Sequence, residues 1–218
     1  MNDFLANSIV LKVKQLSYFR NEERIFGPID FSLSGGNALL VTGDNGSGKT
    51  TLLRVLSGLL KAQSGEIIAS KPDRAHSNLS HSCAYLAHKP GHKAELTCIE
   101  NLEYLQTIFD HLKPELIEPA LEKVGLSGYE DTAAKQLSAG QNKRLGLARL
   151  LLSHSPCWLL DEPYANLDLQ GIELVNRIIQ EHTERGGAVL LTTHGAYAAP
   201  SVPYQTLILA NIGKADGG

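Results

Sequence analysis

A run of glycines around one lysine, Gly43-Asp44-Asn45-Gly46-Ser47-Gly48-Lys49-Thr50 with Thr51 behind it, is where the chemistry of this chain begins. Glycines at 43, 46 and 48 admit backbone conformations that turn successive amide N–H groups inward toward an anion. Lys49 adds positive charge where the β- and γ-phosphates of a nucleotide would lie, and the Thr50 hydroxyl suits Mg²⁺. A second group closes an apolar run, Cys157-Trp158-Leu159-Leu160, with the carboxylates Asp161-Glu162. The carboxyl end of a buried strand is where open α/β sheets bind ligands, so Asp161 is the second candidate metal ligand. Glu162, beside it, is the candidate base for an attacking water. A solvated acidic pair at a strand end is common on its own. Behind a phosphate loop it points to nucleoside-triphosphate hydrolysis.

Between these groups lies Leu137-Ser138-Ala139-Gly140-Gln141. Ser138 and Gln141 fit a capping box at a helix start. Free amides there favour an anion, and Ser138 can donate to a phosphate oxygen. A plain helix cap has the same residues; what argues for more is its place just ahead of the carboxylate strand in a chain that already holds a phosphate loop. Ser138, Gly140 and Gln141 are therefore candidate nucleotide contacts. His194, after Thr192-Thr193 at another strand end, is a candidate contact for the γ-phosphate.

These residues need rigid positions. Ala38 to Val41 is a continuous apolar run suited to a buried parallel strand, entered from the Gly35-Gly36 turn and leading straight into the phosphate loop. Leu52, Leu53, Leu56, Leu59 and Leu60 then give a helical apolar face, so the loop has the strand–loop–helix context it requires. Ile9 to Leu16 and the run around Ile29, Phe31 and Leu33 alternate as short strands. Thr97 and Glu100 open a helix through Leu102, Leu105 and Phe109. A second helix is expected from Pro114 to Val124, stopped by Gly125, and a third from Ser138 to Leu152. Residues 96–153 thus read as a helical subdomain inserted in an α/β core. Strand Cys157–Leu160, helix Leu169–Glu184, strand Ala188–Thr192 and an edge strand over Gln205–Ala210 complete the pattern, and the tail to Gly218 reads as frayed.

Composition narrows the setting. The 218 residues fit one domain, and a formal charge of −3 offers no bulk attraction to nucleic acid. No apolar stretch approaches the ~20 residues of a membrane helix, and the first residues lack a secretory pattern. Cys83, Cys98 and Cys157 are widely spaced and read as reduced thiols rather than a disulfide or zinc framework. His76, His81, His88 and His92 have no fixed spacing and no apolar pocket around them, so they read as a solvated loop and not as haem ligands.

In their order these motifs resemble the ABC ATPase family over nearly the whole chain, with Ala165-Asn166-Leu167-Asp168 as the D-loop and His194 as the switch histidine. The resemblance implies a P-loop NTPase core with N-terminal antiparallel strands and the inserted helical subdomain, all of 1–218 forming one ATPase domain. It implies ATP and Mg²⁺, and a head-to-tail homodimer in which Ser138 and Gly140 of one subunit cover the ATP held by Lys49 of the other. An aromatic near the N-terminus is expected to stack on adenine; Tyr18 is the candidate, with Phe19 the alternative. Two departures stand out. Ala139 replaces the usual glycine, and His88 occupies the place of a glutamine that touches Mg²⁺ and senses the membrane partner. Imidazole is a poor ligand for so hard a cation, which leaves a water-bridged or coupling role for His88.

His88 to Gly91, Glu100-Asn101-Leu102, Asp161-Glu162-Pro163-Tyr164, His182-Thr183 and Gly186-Gly187 carry a closer resemblance, to the ATPase of the bacterial cytochrome c maturation system. That family is described as a haem exporter working with integral membrane subunits. The resemblance implies a peripheral subunit on the cytoplasmic face of the inner membrane, with haem handled by its partners. ATP hydrolysis would then release a haem-loaded chaperone. Another ABC transporter, or a soluble ABC ATPase acting on nucleic acid or ribosomes, is the alternative; the chain shows no second cassette and no basic arm for the latter.

Overall fold

The computed structural model describes residues 9–69, 83–89, 91–107, 113–193 and 199–211. Strands β1 (Ile9–Arg20) and β2 (Glu23–Ser34) form an antiparallel hairpin, joined on the other side of β1 by β4 (Ser64–Ala69). A parallel sheet contains β5 (Cys83–Leu86), β6 (Cys157–Leu160), β7 (Ala188–Thr192), β3 (Ala38–Thr42) and β8 (Tyr204–Ile208), side by side in that order. The phosphate loop leaves β3 and runs into α1 (Lys49–Leu56).

Strand periodicity of two divides the molecule into two cores. In β3, Leu39 and Val41 face one core and Leu40 the other; Leu159 and Leu190 join the first, Trp158, Leu160, Val189 and Leu191 the second. The first core is filled by Leu52, Leu53 and Leu56 of α1 and by Leu11, Leu16 and Phe26 of the hairpin. Helix α1 is therefore clamped between the two sheets, and the loop at its N-terminus is clamped with it. The second core takes α5 (Leu169–Glu184) together with the helical subdomain.

That subdomain contains α2 (Cys98–Glu103), α3 (Ile117–Lys123) and α4 (Ala139–Leu152). Its caps form as the sequence suggests: Thr97 and Glu100 cap α2 reciprocally, and Ser138 and Gln141 cap α4. Buried Asn101 stitches the preceding loop, its amide donating to the carbonyls of Lys93, Leu96 and Thr97 and its oxygen accepting from the Lys93 N–H at 2.8 Å.

Helix α1 ends at Leu56, so Leu59 and Leu60 fall outside its apolar face and Leu59 is exposed, and other elements differ from expectation as well. The helix from Thr97 tightens into a 3₁₀ turn over Tyr104–Thr107, and Phe109 lies outside the described residues. Pro114–Leu116 is likewise a 3₁₀ turn, with α3 beginning only at Ile117; Pro114 opens that turn, where its fixed φ fits and its missing N–H costs nothing. Strand β4 is an addition: Ser64-Gly65-Glu66-Ile67-Ile68-Ala69 shows no alternation, and pairing with β1 makes it a strand.

Leu53 is fully buried between α1 and both sheets. Leu53→Ala is expected to cost about 2–5 kcal/mol of stability, read as a lowered urea midpoint at unchanged slope.

Candidate active site

Chain geometry at the phosphate loop requires glycine at two places. Gly43 has φ +147°, and a Cβ there would lie 2.4 Å from the Leu209 carbonyl oxygen. Gly48 caps α1 at φ +95°, where a Cβ would press on Ile25 of the hairpin at 3.1 Å. The first turn of α1 carries no acidic residue, so its free amides remain suited to an anion. Lys49 is nearly buried and folds its ammonium back over the loop, donating to the carbonyls of Gly43 at 2.7 Å and Asp44 at 2.9 Å. Burial lowers its pKa, while Glu162, Asp44 and Asp161 pull it back up. Ser47 Oγ, buried inside the loop, has no hydrogen-bond partner among the described residues.

Asp161 stands at the end of β6, 1 % exposed, and three hydroxyls converge on it. Thr50 Oγ1 donates to Oδ1 at 3.1 Å, Thr192 Oγ1 to the same oxygen at 3.0 Å, and the Tyr85 hydroxyl to Oδ2 at 3.3 Å. Burial, with the nearby Asp161 charge, pushes Tyr85 up to about 12, which keeps it a donor. Glu162 follows in a left-handed conformation at φ +52°, uncommon for a residue with a side chain. Its N–H donates to Thr192 Oγ1 at 2.9 Å and its carbonyl accepts from Lys143 of α4 at 3.2 Å. The Glu162 carboxylate meets His88 Nδ1 at 3.0 Å.

Part of this constellation lines an open cavity of about 750 Å³, whose walls include Asn45, Gly46, Lys49, Thr50, Thr51, Asp161, Glu162 and His88. Arg20, next to the β1–β2 turn at Asn21-Glu22, and Ile25 of β2 bring the hairpin to the same cavity. Thr50 Oγ1 and the Asp161 carboxylate supply hard oxygen donors converging beside a phosphate cradle, which fits Mg²⁺, a cation that takes few protein ligands and completes its shell with water and phosphate.

Not every residue predicted for the site is brought to it. Tyr18 is 9 % exposed and stacks on Phe26 with ring centroids 6.2 Å apart, inside the hairpin core. Neither Tyr18 nor Phe19 lines the cavity; Phe19 is tied by its backbone to the Gln63 side chain. The irregular register between Tyr18 and Phe19 breaks the alternation that would put Tyr18 and Arg20 on one face, turning Tyr18 inward and leaving Arg20, at the end of β1, at the cavity. Ser138, Gly140 and Gln141 lie outside this cavity as well. Ser138 and Gln141 occupy each other in the cap, and Gly140 packs against the backbone of Asn166 in the 165–168 loop, where a Cβ would sit 3.5 Å from its oxygen. His194 lies outside the described residues, as do His76 and His81. His92 is not in solvent: its Nε2 meets the Asn142 carbonyl at 3.0 Å, and burial pushes it down to about 4.

Tyr85, Thr192, Lys143 and Arg20 enter the site without having been predicted. Lys143 carried a readable signal, since it shares a helical stripe with Leu147 and Leu150 on the buried face of α4.

Residues 26–165 match the ABC transporter family. The chain belongs to that family. It is 55 % identical over 200 residues, 92 % of this chain and 94 % of the relative, to the cytochrome c biogenesis ATP-binding export protein CcmA of Xanthomonas campestris pv. campestris. Among solved structures it is similar to an ATP-binding subunit of an ABC transporter, with a TM-score of 0.82 at 24 % identity, covering 93 % of this chain and 86 % of that one. A dimeric ATP-binding cassette bound to ADP and Pi gives a TM-score of 0.73 at 24 % identity, covering 85 % and 88 %. These two likenesses establish the fold. Family membership makes the chain an ATP-hydrolysing cassette.

The geometry separates Tyr18 from Arg20. Tyr18→Ala is expected to lower stability by about 2–5 kcal/mol by opening the core, with nucleotide affinity of the folded protein kept. Arg20→Ala should change stability by less than about 0.5 kcal/mol yet weaken ATP binding. Fluorescent-nucleotide titration beside urea denaturation checks both.

Proposed function

We propose that this chain is the ATP-hydrolysing subunit of a membrane complex for cytochrome c biogenesis, peripheral on the cytoplasmic face of the inner membrane. The observation that carries the reading is the 55 % identity along 92 % of the chain to a protein named for that export function, supported by the cavity that gathers Lys49, Thr50, Asp161 and Glu162. Among the described residues no helix is long and apolar enough to cross a membrane. Integral membrane partners then supply the path, and haem is handled by them.

The loop amides and Lys49 bind the β- and γ-phosphates, Lys49 exchanging its loop carbonyls for phosphate oxygens. Arg20 and Ile25 hold the base end of the nucleotide from the hairpin side. Thr50 and Asp161 would hold Mg²⁺, which when bound would supply positive charge against the phosphates. Glu162 takes a proton from water as the water oxygen bonds to the γ-phosphorus and the bond to the ADP oxygen breaks, giving ADP and phosphate. His194 is the residue we assign to contact the γ-phosphate.

Ser138 and Gly140 act on the nucleotide of a second copy in a head-to-tail homodimer. Support comes from their position: a capped helix N-terminus outside the cavity of its own chain, packed on the 165–168 loop. Closing and opening of that dimer drives the membrane subunits and times release of the haem-loaded chaperone.

Purified Glu162→Gln is expected to bind ATP while kcat falls about 100-fold or more, as for a lost general base. In cells, Lys49→Ala should abolish mature c-type cytochromes while haem-bound chaperone accumulates on the membrane, seen by haem staining. Normal c-type cytochromes in that strain would remove the cytochrome c assignment and leave an ABC ATPase serving another complex.

A further inference from the structure

Lys143 is 2 % exposed, in the second turn of α4, and its ammonium reaches out of the helical subdomain into the catalytic edge. Nζ donates to the His88 carbonyl at 3.1 Å and to the Glu162 carbonyl at 3.2 Å. The side chains of those same two residues meet each other, His88 Nδ1 against Glu162 Oε2 at 3.0 Å. One ammonium thus ties together three segments: the helix that begins at Ser138, the loop after β5 and the loop after β6. The Glu162 peptide is gripped from both sides, Thr192 Oγ1 accepting from its N–H and Lys143 donating to its carbonyl. A residue with φ +52° keeps such a conformation only where its surroundings over-determine it. Burial lowers the Lys143 pKa, and the Asp161 and Glu162 carboxylates oppose that shift. A buried charge placed against two carbonyls is costly unless it is well hydrogen-bonded, and apolar neighbours alone would be better served by leucine.

We propose that Lys143 is a positioning residue for hydrolysis: it holds Glu162 and His88 in register with α4, so that movement of the helix starting at Ser138 is handed to the hydrolytic base. The proposal rests on Glu162 being that base. Arg149, further along α4, makes a parallel tie by donating to the Tyr85 carbonyl at 3.2 Å, and the Tyr85 hydroxyl reaches Asp161. The catalytic edge is therefore fastened to α4 at two heights, but only Lys143 reaches Glu162 itself. Its ammonium is turned to the His88 and Glu162 carbonyls and it does not line the cavity, which separates its role from nucleotide binding.

Steady-state ATP hydrolysis by the full chain with Mg²⁺ tests this. Lys143→Met keeps the apolar stem and removes the donors; kcat should fall about tenfold or more with KM for ATP held within about threefold, the split expected for a misplaced catalytic group. Lys143→Arg retains donors for both carbonyls and should recover most of kcat. Adding His88→Ala to Lys143→Met should cost less than the product of the single losses, since both act on Glu162. Normal kcat in Lys143→Met overturns the proposal. So does a loss confined to KM, or equal losses in the Met and Arg variants accompanied by equal drops in Tm. If Lys143→Met does not fold, Lys143→Gln, too short to span both carbonyls, takes its place under the same criteria. Glu162→Gln run in parallel separates the two claims. If it retains turnover, the base assignment fails; if it is dead while Lys143→Met is normal, only the positioning role fails.

Discussion

The carboxylate of Asp161 is the constraint on which the rest of the site depends. It is held nearly out of solvent at the end of β6, and it is tolerable there because hydroxyls from three other segments donate to it: Thr50 from α1, Thr192 from β7 and Tyr85 from β5. Those four elements are neighbours only because β5, β6 and β7 lie side by side and α1 packs over them. The same hydrogen bonds set the distance between phosphate loop and base, since Thr192 also receives the N–H of Glu162. The proposed metal ligand Asp161, the loop anchor Thr50 and the proposed base Glu162 are thereby fixed as one unit.

Around that unit the molecule keeps two cores with different duties. The core between the sheets holds α1, and so the phosphate loop, rigidly against the hairpin. The other joins the helical subdomain and α5 to the opposite face of the parallel sheet. Among the described residues, α4 links that second side to the catalytic edge through Lys143 and Arg149. Nucleotide binding thus belongs to the rigid side, whereas the orientation of the base also depends on the helical side. A cassette that converts hydrolysis into movement needs that division.

Much of this was legible in the chain itself, because local chemistry dictates it. Glycine spacing, the apolar run before it and the leucines after it specify strand, loop and α1. The caps at Thr97 and Ser138 and the run Cys157–Leu160 ending in Asp161 are equally local. What escaped depends on tertiary register. Tyr18 and Arg20 are two residues apart, and only the bulged pairing of β1 and β2 decides which of them meets the cavity. Ser64–Ala69 has no strand pattern of its own and takes one from β1. Tyr85 and Thr192 look like ordinary strand residues until their strands are ordered in the sheet. His92 sat among polar residues in sequence and became half-buried through a carbonyl on α4, a partner fifty positions away.

If Asp161 couples the phosphate loop to the proposed Mg²⁺ site and to the proposed base Glu162, Asp161→Asn is the most direct test. Asparagine keeps an oxygen to accept from Thr50 and Thr192, so the hydroxyl cluster and the fold should survive, with Tm close to that of the parent chain. Calorimetric titration with ATP should then show binding that no longer tightens when Mg²⁺ is added, together with hydrolysis reduced about 100-fold or more, the scale of a removed electrostatic stabiliser. Parent-like Mg²⁺ dependence and turnover in Asp161→Asn would contradict the account.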